Sequence, residues 1–170
     1  MVKQREALDV DVLYVGAGPA SLASAIHLKK NLLKANAQDE TVIAIVEKSQ
    51  AAGQHILSGA VMDPKAIQEL FGQDWLSSGF PIEAPVIEDH VYFLTGKGWI
   101  PFVIHPPLMK NKGYFIVTLS EVVKWLAQEA EKLGINIFTG FPVSELIWDN
   151  GQVVGARIID QMVDRTGQPK

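Results

Sequence analysis

The amino-acid sequence predicts an α/β fold in which a partial doubly wound parallel sheet carries an inserted antiparallel β region. Three features of the sequence support this prediction. An apolar strand, a glycine-rich turn, a helix and a second apolar strand follow one another near the start. An amphipathic helix in the last third is again followed by an apolar strand. Between them lies a segment of short alternating runs broken by Gly and Pro, which is typical of antiparallel β structure.

The pattern divides the chain into three regions that form one domain, or one lobe of something larger. Residues 10–60 form a βαβ unit, residues 61–118 an inserted helix and β region, and residues 119–159 a returning helix with strands. No linker separates two cores. We therefore expect one continuous fold across residues 1–170.

The βαβ unit begins with Val10–Val15, a β-branched run that predicts a buried parallel strand. A helix is expected after the glycine-rich turn, up to about Lys34. Thr41–Val46 predicts the second strand, and the order has the size of a βαβ unit, about 30 residues or more. Ser49–Ala60 is rich in Gly, Ala and Ser and predicts a loop.

The inserted region begins with a short helix. Asp63 is a good N-cap, Pro64 suits the first helical position, and Gly72 marks the end. Residues 73–89 carry several Gly and Pro residues and predict irregular structure. Tyr114–Thr118 predicts a further short strand.

A hairpin is predicted within the same region. Val91–Thr95 and Trp99–Ile104 alternate on either side of a Gly-Lys-Gly turn, and His105-Pro106-Pro107 prevents the second strand from continuing. The aromatic side chains of this hairpin are expected to form core; the alternative is that, in a longer protein, they cover a ligand or partner site.

The returning region predicts a helix capped by Ser120 and stopped by Gly134. The apolar residues expected to share its buried face are Val122, Leu126, Ala130 and Leu133. Ile135–Thr139 predicts a strand. Val143–Trp148 and Gln152–Ile159 then flank Asp149-Asn150-Gly151, a strong hairpin signal, and a last turn is expected at Thr166-Gly167.

Composition excludes several classes of function. The net charge is −4 without a basic block, which gives nucleic-acid binding no electrostatic support. Cysteine is absent, so the sequence offers no thiolate for a disulfide, a zinc site or an iron–sulfur cluster. No apolar run approaches the roughly 18 residues of a membrane span, and no histidine shows metal-ligand spacing.

The glycine-rich turn predicts a dinucleotide site of the Rossmann-like type. Gly16 lets the chain turn out of the strand, and Gly18 leaves room for a pyrophosphate at the helix N-terminus. Ser21 stands where the motif has its third glycine. Glu47 ends the next strand, where a carboxylate accepts hydrogen bonds from ribose hydroxyls. The alternative is a glycine-rich turn that only packs.

Longer segments carry a resemblance to a known family. Asp11–Ala20 and Val46–Lys48 resemble the FAD-binding start of the glutathione-reductase-like flavoproteins. More specific segments are His55–Val61, Tyr92–Thr95, Pro106-Pro107, Gly113–Val117, Trp125–Ala127 and Gly140-Phe141. In this order, from about residue 10 to the end, they resemble the electron transfer flavoprotein–ubiquinone oxidoreductase family. FixC-type proteins and geranylgeranyl reductases are more distant candidates.

The resemblance implies a cofactor and a set of contacts. The family uses FAD and a [4Fe–4S] cluster to move electrons from reduced electron transfer flavoprotein to ubiquinone at a membrane, as an FAD-dependent electron-transferring-flavoprotein dehydrogenase. The cofactor-binding residues it implies are Gly16, Ala17, Gly18, Pro19, Ala20, Ser21, Glu47, Lys48, His55, Leu57, Ser58, Gly59 and Val143. Because the flavin carries the redox chemistry, no residue is assigned as a catalytic acid or base.

The resemblance also implies that the chain is the N-terminal FAD-binding portion of a much longer protein. The cluster cysteines and most of the quinone region would lie in the missing part. The start at Met1 lacks transit-peptide character, which favours a bacterial, cytoplasmic protein peripheral on the inner membrane, or the mitochondrial inner membrane in a eukaryote. Ser21 and Gln54 depart from the family pattern. Two alternatives remain: a geranylgeranyl-reductase-like FAD reductase, and a non-catalytic fragment unable to hold FAD alone.

Overall fold

The computed structural model describes residues 6–102 and 109–159, and the chain divides into two compact units. The first unit comprises Met1–Ile56 together with Val123–Lys170, and the second comprises Leu57–Val122. The predicted strand stop at His105-Pro106-Pro107 and the predicted turn at Thr166-Gly167 lie outside the described residues.

The described residues combine helices with parallel and antiparallel strands, and the α/β class is confirmed. The helices are α1 (Pro19–Ala35), α2 (Lys65–Phe71) and α3 (Leu119–Lys132), with a 3₁₀ helix at Trp75–Ser78. The strands are β1 (Val12–Val15), β2 (Ile43–Glu47), β3 (Ala60–Met62), β4 (Ala84–Pro85), β5 (Tyr92–Thr95), β6 (Gly98–Pro101), β7 (Phe115–Val117), β8 (Asn136–Thr139), β9 (Val143–Asp149) and β10 (Gln152–Ile158).

The first unit is built on a parallel three-stranded sheet in the order β1-β2-β8. The central strand β2 is buried through Ile43, Ala44 and Ile45, as a strand covered on both faces should be. β1 differs from the prediction of a buried strand. Its first three residues are half-buried and Val15 is exposed, because β1 pairs along one edge only among the described residues.

Helix α3 confirms three of the four residues of the predicted apolar face but begins earlier than predicted, and Leu133 lies beyond its end and is half-buried. Val122, Leu126 and Ala130 are buried along it, since they recur at helical spacing. The N–H groups of Glu121 and Val122 donate to the Thr118 carbonyl oxygen at 2.9 Å and 3.1 Å. Thr118 is therefore the residue before the helix, and the prediction of Ser120 as the cap is wrong.

The β9–β10 hairpin confirms the turn prediction. Asn150 and Gly151 have φ of 48° and 80°, the pair of left-handed residues that a two-residue hairpin turn requires.

The second unit contains antiparallel pairs and a small aromatic core. β3 and β4 flank β7, and neither of these short strands was predicted. Trp75 is 2% exposed and packs edge-on against Phe80 and Phe115, with ring centroids 5.1 Å and 5.2 Å away. The segment predicted as irregular thus supplies the central side chain of this core. α2 ends before Gly72 as expected, but Pro64 is the residue before the helix, so the prediction of Asp63 as its N-cap is wrong.

The predicted hairpin of the inserted region is confirmed as β5–β6, but the prediction that it forms core is wrong. All eight of its residues are exposed. Within the described residues its strands pair only with each other, and the Tyr92 ring packs against the rings of Trp99 and His90, whose centroids lie 4.8 Å and 6.1 Å away.

The described residues contain no helix that is both long enough and apolar enough to cross a membrane.

Candidate nucleotide-binding site

The glycine-rich turn leaves β1 beside the end of β2. Gly16 has φ of +98°, which strains any residue with a Cβ, and its N–H donates to the Val46 carbonyl oxygen at 2.7 Å. A Cβ added to Gly18 would meet no heavy atom within 4 Å. The backbone of Gly18 therefore faces open space, as close approach of a phosphate group requires.

The N-terminus of α1 offers unpaired donors beside this space. The first intrahelical bond runs from the Leu22 N–H to the Gly18 carbonyl oxygen at 3.0 Å, and no side chain caps the helix. The N–H groups of Ala20 and Ser21 precede that bond, so helix geometry gives them no intrahelical acceptor. Pro19 has no N–H to satisfy. Free N–H groups and the positive end of the helix dipole together favour an anion here.

Glu47 joins β2 to the glycine-rich turn. Its Oε2 accepts a hydrogen bond from the Ala17 N–H at 2.7 Å, across 30 positions of sequence. Its Oε1 accepts from both the N–H and the hydroxyl of Ser49, each at 2.8 Å. The carboxylate thus holds the turn in place as well as standing at the end of the strand.

The pKa of Glu47 lies below its ordinary value. Partial burial alone would raise this pKa because it disfavours the charged form. The N–H groups of Ser49 and Ala17, the Ser49 hydroxyl and the nearby charge of His55 together outweigh burial and lower it. Glu47 is accordingly an ionised acceptor near neutral pH.

The structure places this group of residues at the carboxyl ends of the parallel strands. Val15 pairs with Val46, and Glu47 with Thr139, so the turn and the carboxylate lie at one edge of the sheet. Open α/β sheets bind ligands at that edge. The arrangement can position a diphosphate at the helix N-terminus and a hydroxyl-bearing group against Glu47.

The remaining predicted site residues are distributed over both units. Lys48 and His55 are exposed near Glu47 in sequence, and Val143 is the half-buried first residue of β9. Leu57, Ser58 and Gly59 belong to the second unit and are exposed there. Their contacts with a cofactor stay predictions.

Sequence reasoning missed two features that hold the site. Ser49 is buried against Glu47, and its carbonyl oxygen accepts from the Gly140 N–H at 2.7 Å. The Phe141 N–H donates to the Glu47 carbonyl oxygen at 2.9 Å. The sequence contains one weak signal for the first feature, a serine two residues after the strand-ending acid, since Ser commonly hydrogen-bonds locally in turns.

No family model matches the chain. Curated relatives are nevertheless similar over 98% of it. The electron transfer flavoprotein–ubiquinone oxidoreductase of Pseudomonas aeruginosa is 43% identical over 171 residues, and the probable one of Acinetobacter baylyi is 41% identical over 170 residues. The mitochondrial protein of Rattus norvegicus is 41% identical over 169 residues.

The resemblance to the electron transfer flavoprotein–ubiquinone oxidoreductases is confirmed. The chain spans 30% of the length of the two bacterial relatives and 27% of that of the rat protein, and the match falls on their N-terminal portion.

Several solved structures have a similar fold. A geranylgeranyl bacteriochlorophyll reductase-like protein of Thermoplasma acidophilum has a TM-score of 0.60 at 20% identity, covering 87% of this chain and 34% of that one. FqzB has a TM-score of 0.61 at 22% identity, and the match covers 88% of this chain and 32% of FqzB. CtdE in complex with FAD has a TM-score of 0.54 at 20% identity, and the match covers 88% of this chain and 37% of CtdE. At these identities the likeness shows a shared fold, consistent with an α/β FAD-binding architecture.

Proposed function

We propose that this chain is the FAD-binding N-terminal portion of an electron transfer flavoprotein–ubiquinone oxidoreductase. The observation that carries the proposal is the hydrogen bond between the Ala17 N–H and Glu47 Oε2. It brings the glycine-rich turn, the open helix N-terminus and an ionised carboxylate to one edge of the parallel sheet, and a dinucleotide needs all three. The 40–43% identity to proteins of that name supports the specific family.

The residues of the first unit have distinct roles in this proposal. The backbone of Gly16 and Gly18 leaves room for the pyrophosphate, and the N–H groups of Ala20 and Ser21 donate to it. Glu47 accepts from ribose hydroxyls. Bound FAD would supply the redox chemistry, and the chain binds and orients it.

Other contacts are proposed from the resemblance. His55, Leu57, Ser58, Gly59 and the backbone of Val143 would be further cofactor-binding residues by this resemblance. The three-stranded sheet belongs to a doubly wound FAD-binding sheet of the glutathione-reductase type.

The proposed activity of the whole protein is transfer of electrons from reduced electron transfer flavoprotein to ubiquinone. Relatives named after this reaction support it. The protein would act peripherally at a bacterial inner membrane, or at the mitochondrial one in a eukaryote. Since this sequence contains no cysteine, a [4Fe–4S] cluster would need ligands from outside it.

Titration of the purified chain with FAD, followed by quenching of flavin fluorescence, tests the proposal. We expect saturable binding that an excess of ADP competes away, because ADP carries the ribose and pyrophosphate contacts. Absence of saturable binding would favour the non-catalytic alternative for this chain. The likeness to the geranylgeranyl-reductase-like structure, at 20% identity, concerns the fold and does not favour that alternative.

A further inference from the structure

The Ser49 hydroxyl has two acceptors for one hydrogen. Its Oγ lies 2.8 Å from Glu47 Oε1 and 2.7 Å from the Ala51 carbonyl oxygen. A carbonyl oxygen and an ionised carboxylate both only accept, and a serine hydroxyl donates a single hydrogen. At any moment the hydroxyl therefore donates to one of the two oxygens, and rotation about the Cβ–Oγ bond exchanges them.

The backbone around this hydroxyl is held by other bonds. The Gly140 N–H donates to the Ser49 carbonyl oxygen at 2.7 Å, and the Ser49 N–H donates to Glu47 Oε1. Ser49 is 4% exposed, so bulk solvent does not compete for its hydroxyl. The hydroxyl hydrogen is the part of this residue that is free to change partner.

The carboxylate of Glu47 is close to saturated by the chain itself. Two carboxylate oxygens offer about four acceptor positions. The Ala17 N–H, the Ser49 N–H and the Ser49 hydroxyl take three of them. About one acceptor position is therefore left for a ribose that donates from two hydroxyls. A second acceptor position opens only when the Ser49 hydroxyl leaves Glu47 Oε1.

We propose that Ser49 is a positioning residue for ribose recognition: its hydroxyl orients Glu47 in the nucleotide-free chain and turns to the Ala51 carbonyl oxygen when a ribose hydroxyl takes its place. This inference rests on the proposed nucleotide-binding function. The exchange leaves no donor or acceptor unpaired, since the hydroxyl gains the Ala51 oxygen as it gives up Oε1. The ribose therefore binds a carboxylate that is already oriented. The hydrogen bond from Ser49 that it displaces is replaced by the one to the Ala51 carbonyl oxygen.

The test compares ADP with 2′,3′-dideoxyADP, which lacks both ribose hydroxyls. Each is titrated into the wild-type chain and the Ser49→Ala variant, and the amide NMR signal of Ala17 is followed. In the variant Glu47 is less well oriented, so we expect ADP to bind about threefold to tenfold more weakly. The affinity for 2′,3′-dideoxyADP should not change. Ser144→Ala, which removes a hydroxyl that donates to the Arg157 carbonyl oxygen, is the matched control.

Repeating the titrations in a Glu47→Ala chain distinguishes orientation of Glu47 from a general structural role of Ser49. In a Glu47→Ala chain there is no carboxylate to orient, so Ser49→Ala should have no further effect on either nucleotide. Equal weakening of both nucleotides, or an undiminished effect in the Glu47→Ala background, would overturn the inference. If the wild-type chain binds neither nucleotide, the proposed function fails together with the inference. If it binds ADP but the preference for ADP over 2′,3′-dideoxyADP is undiminished in Ser49→Ala, only the inference fails.

A measurement on the wild-type chain covers the case in which Ser49→Ala does not fold. The carbonyl ¹³C signal of Ala51 reports whether that oxygen accepts a hydrogen bond. We expect it to shift on addition of ADP and to stay in place with 2′,3′-dideoxyADP. The same response to both nucleotides would contradict the exchange.

Discussion

Without any ligand, the Glu47 carboxylate already accepts hydrogen bonds from donors of its own chain. Three hydrogen bonds from Ala17 and Ser49 fix the carboxylate at the end of β2. Replacing Glu47 with Ala should weaken FAD binding by about 1–3 kcal/mol, the range for a lost hydrogen bond to a charged group. Titration by flavin fluorescence measures the loss.

The matched control is Glu145→Ala, which removes an exposed carboxylate that pairs with Arg157 in the β9–β10 hairpin. Its FAD affinity should equal that of the wild type. Equal affinities for the wild type and Glu47→Ala would remove Glu47 from the ribose site.

The depressed pKa of Glu47 makes a prediction about acid stability. A carboxyl whose pKa is lower in the folded chain than its ordinary value of 4.5 stabilises the fold above that pH. This contribution is lost as the pH falls through the lower, folded-state pKa. The difference in free energy of unfolding between the wild type and Glu47→Gln should therefore be constant near neutral pH and shrink below about pH 4.5.

Urea unfolding at a series of pH values measures that difference. A difference that grows on acidification would mean that the pKa of Glu47 is raised in the folded chain, against the hydrogen bonds described here.

Gly18 tests the pyrophosphate position with little effect on the fold. Its φ is −79° and a Cβ there would meet no atom within 4 Å, so the backbone accepts a larger residue. Gly18→Val should abolish FAD binding because its side chain fills the space in front of the helix N-terminus. Gly96→Val in the β5–β6 turn, where a Cβ also meets nothing, is the control and should keep full affinity.

Circular dichroism verifies that both variants remain folded. A folded Gly18→Val chain that binds FAD as tightly as the wild type would show that the pyrophosphate lies elsewhere.

At the scale of whole elements, the sequence predicted helices with a long apolar repeat and a turn with a specific residue pair. The spacing of apolar residues located α1 and α3, and Asn150-Gly151 located the β9–β10 turn, because left-handed backbone there strongly favours these residue types. Strands of two or three residues were missed, as β3 and β4 show. Such strands depend on a partner distant in sequence, here β7, and not on their own composition.

The site was predictable only in part for the same reason. The glycine turn and Glu47 follow from a local motif. The carbonyl oxygens of Ser49 and Glu47, by contrast, accept hydrogen bonds from Gly140 and Phe141, which lie about ninety residues further along the chain. The exposure of the β5–β6 hairpin was also mispredicted, because aromatic alternation specifies a strand and not what covers it.

Lys29 couples helix α1 to the segment that precedes β2. Its ammonium group is buried and donates to the Asp39 carboxylate at 2.8 Å and to the carbonyl oxygens of Asp39 and Thr41 at 3.2 Å and 3.1 Å. Lys29→Met should lower the melting temperature by several degrees, because three acceptors lose their donor. Lys34→Met, an exposed lysine of the same helix, is the matched control and should change it far less.

Thermal unfolding followed by circular dichroism gives both values. Equal melting temperatures for the two variants would show that the Lys29 network adds no stability beyond that of a surface lysine.

On the scale of the whole molecule, much apolar surface is left exposed. Large apolar side chains are exposed on β1, on both two-stranded hairpins and on the turn before β3, with Leu57 at 90% and Leu94 at 77%. Monomeric proteins rarely expose extensive contiguous apolar surface. The curated relatives are more than three times as long as the stretch matched here, which fits a chain whose apolar faces need further partners.

Ligand binding is therefore expected to make a large difference to the stability of this chain. A ligand that binds only the folded state stabilises it by about 2.7 kcal/mol at a concentration of one hundred times its Kd. For a chain of this size that corresponds to a rise in melting temperature of roughly 5–10 °C. Differential scanning calorimetry of the chain with and without FAD measures the shift, and Gly18→Val should show none. A wild-type midpoint that does not move at an FAD concentration that saturates fluorescence quenching would mean that the flavin binds the unfolded chain equally well, and the assignment of the folded glycine-rich turn as its site would fail.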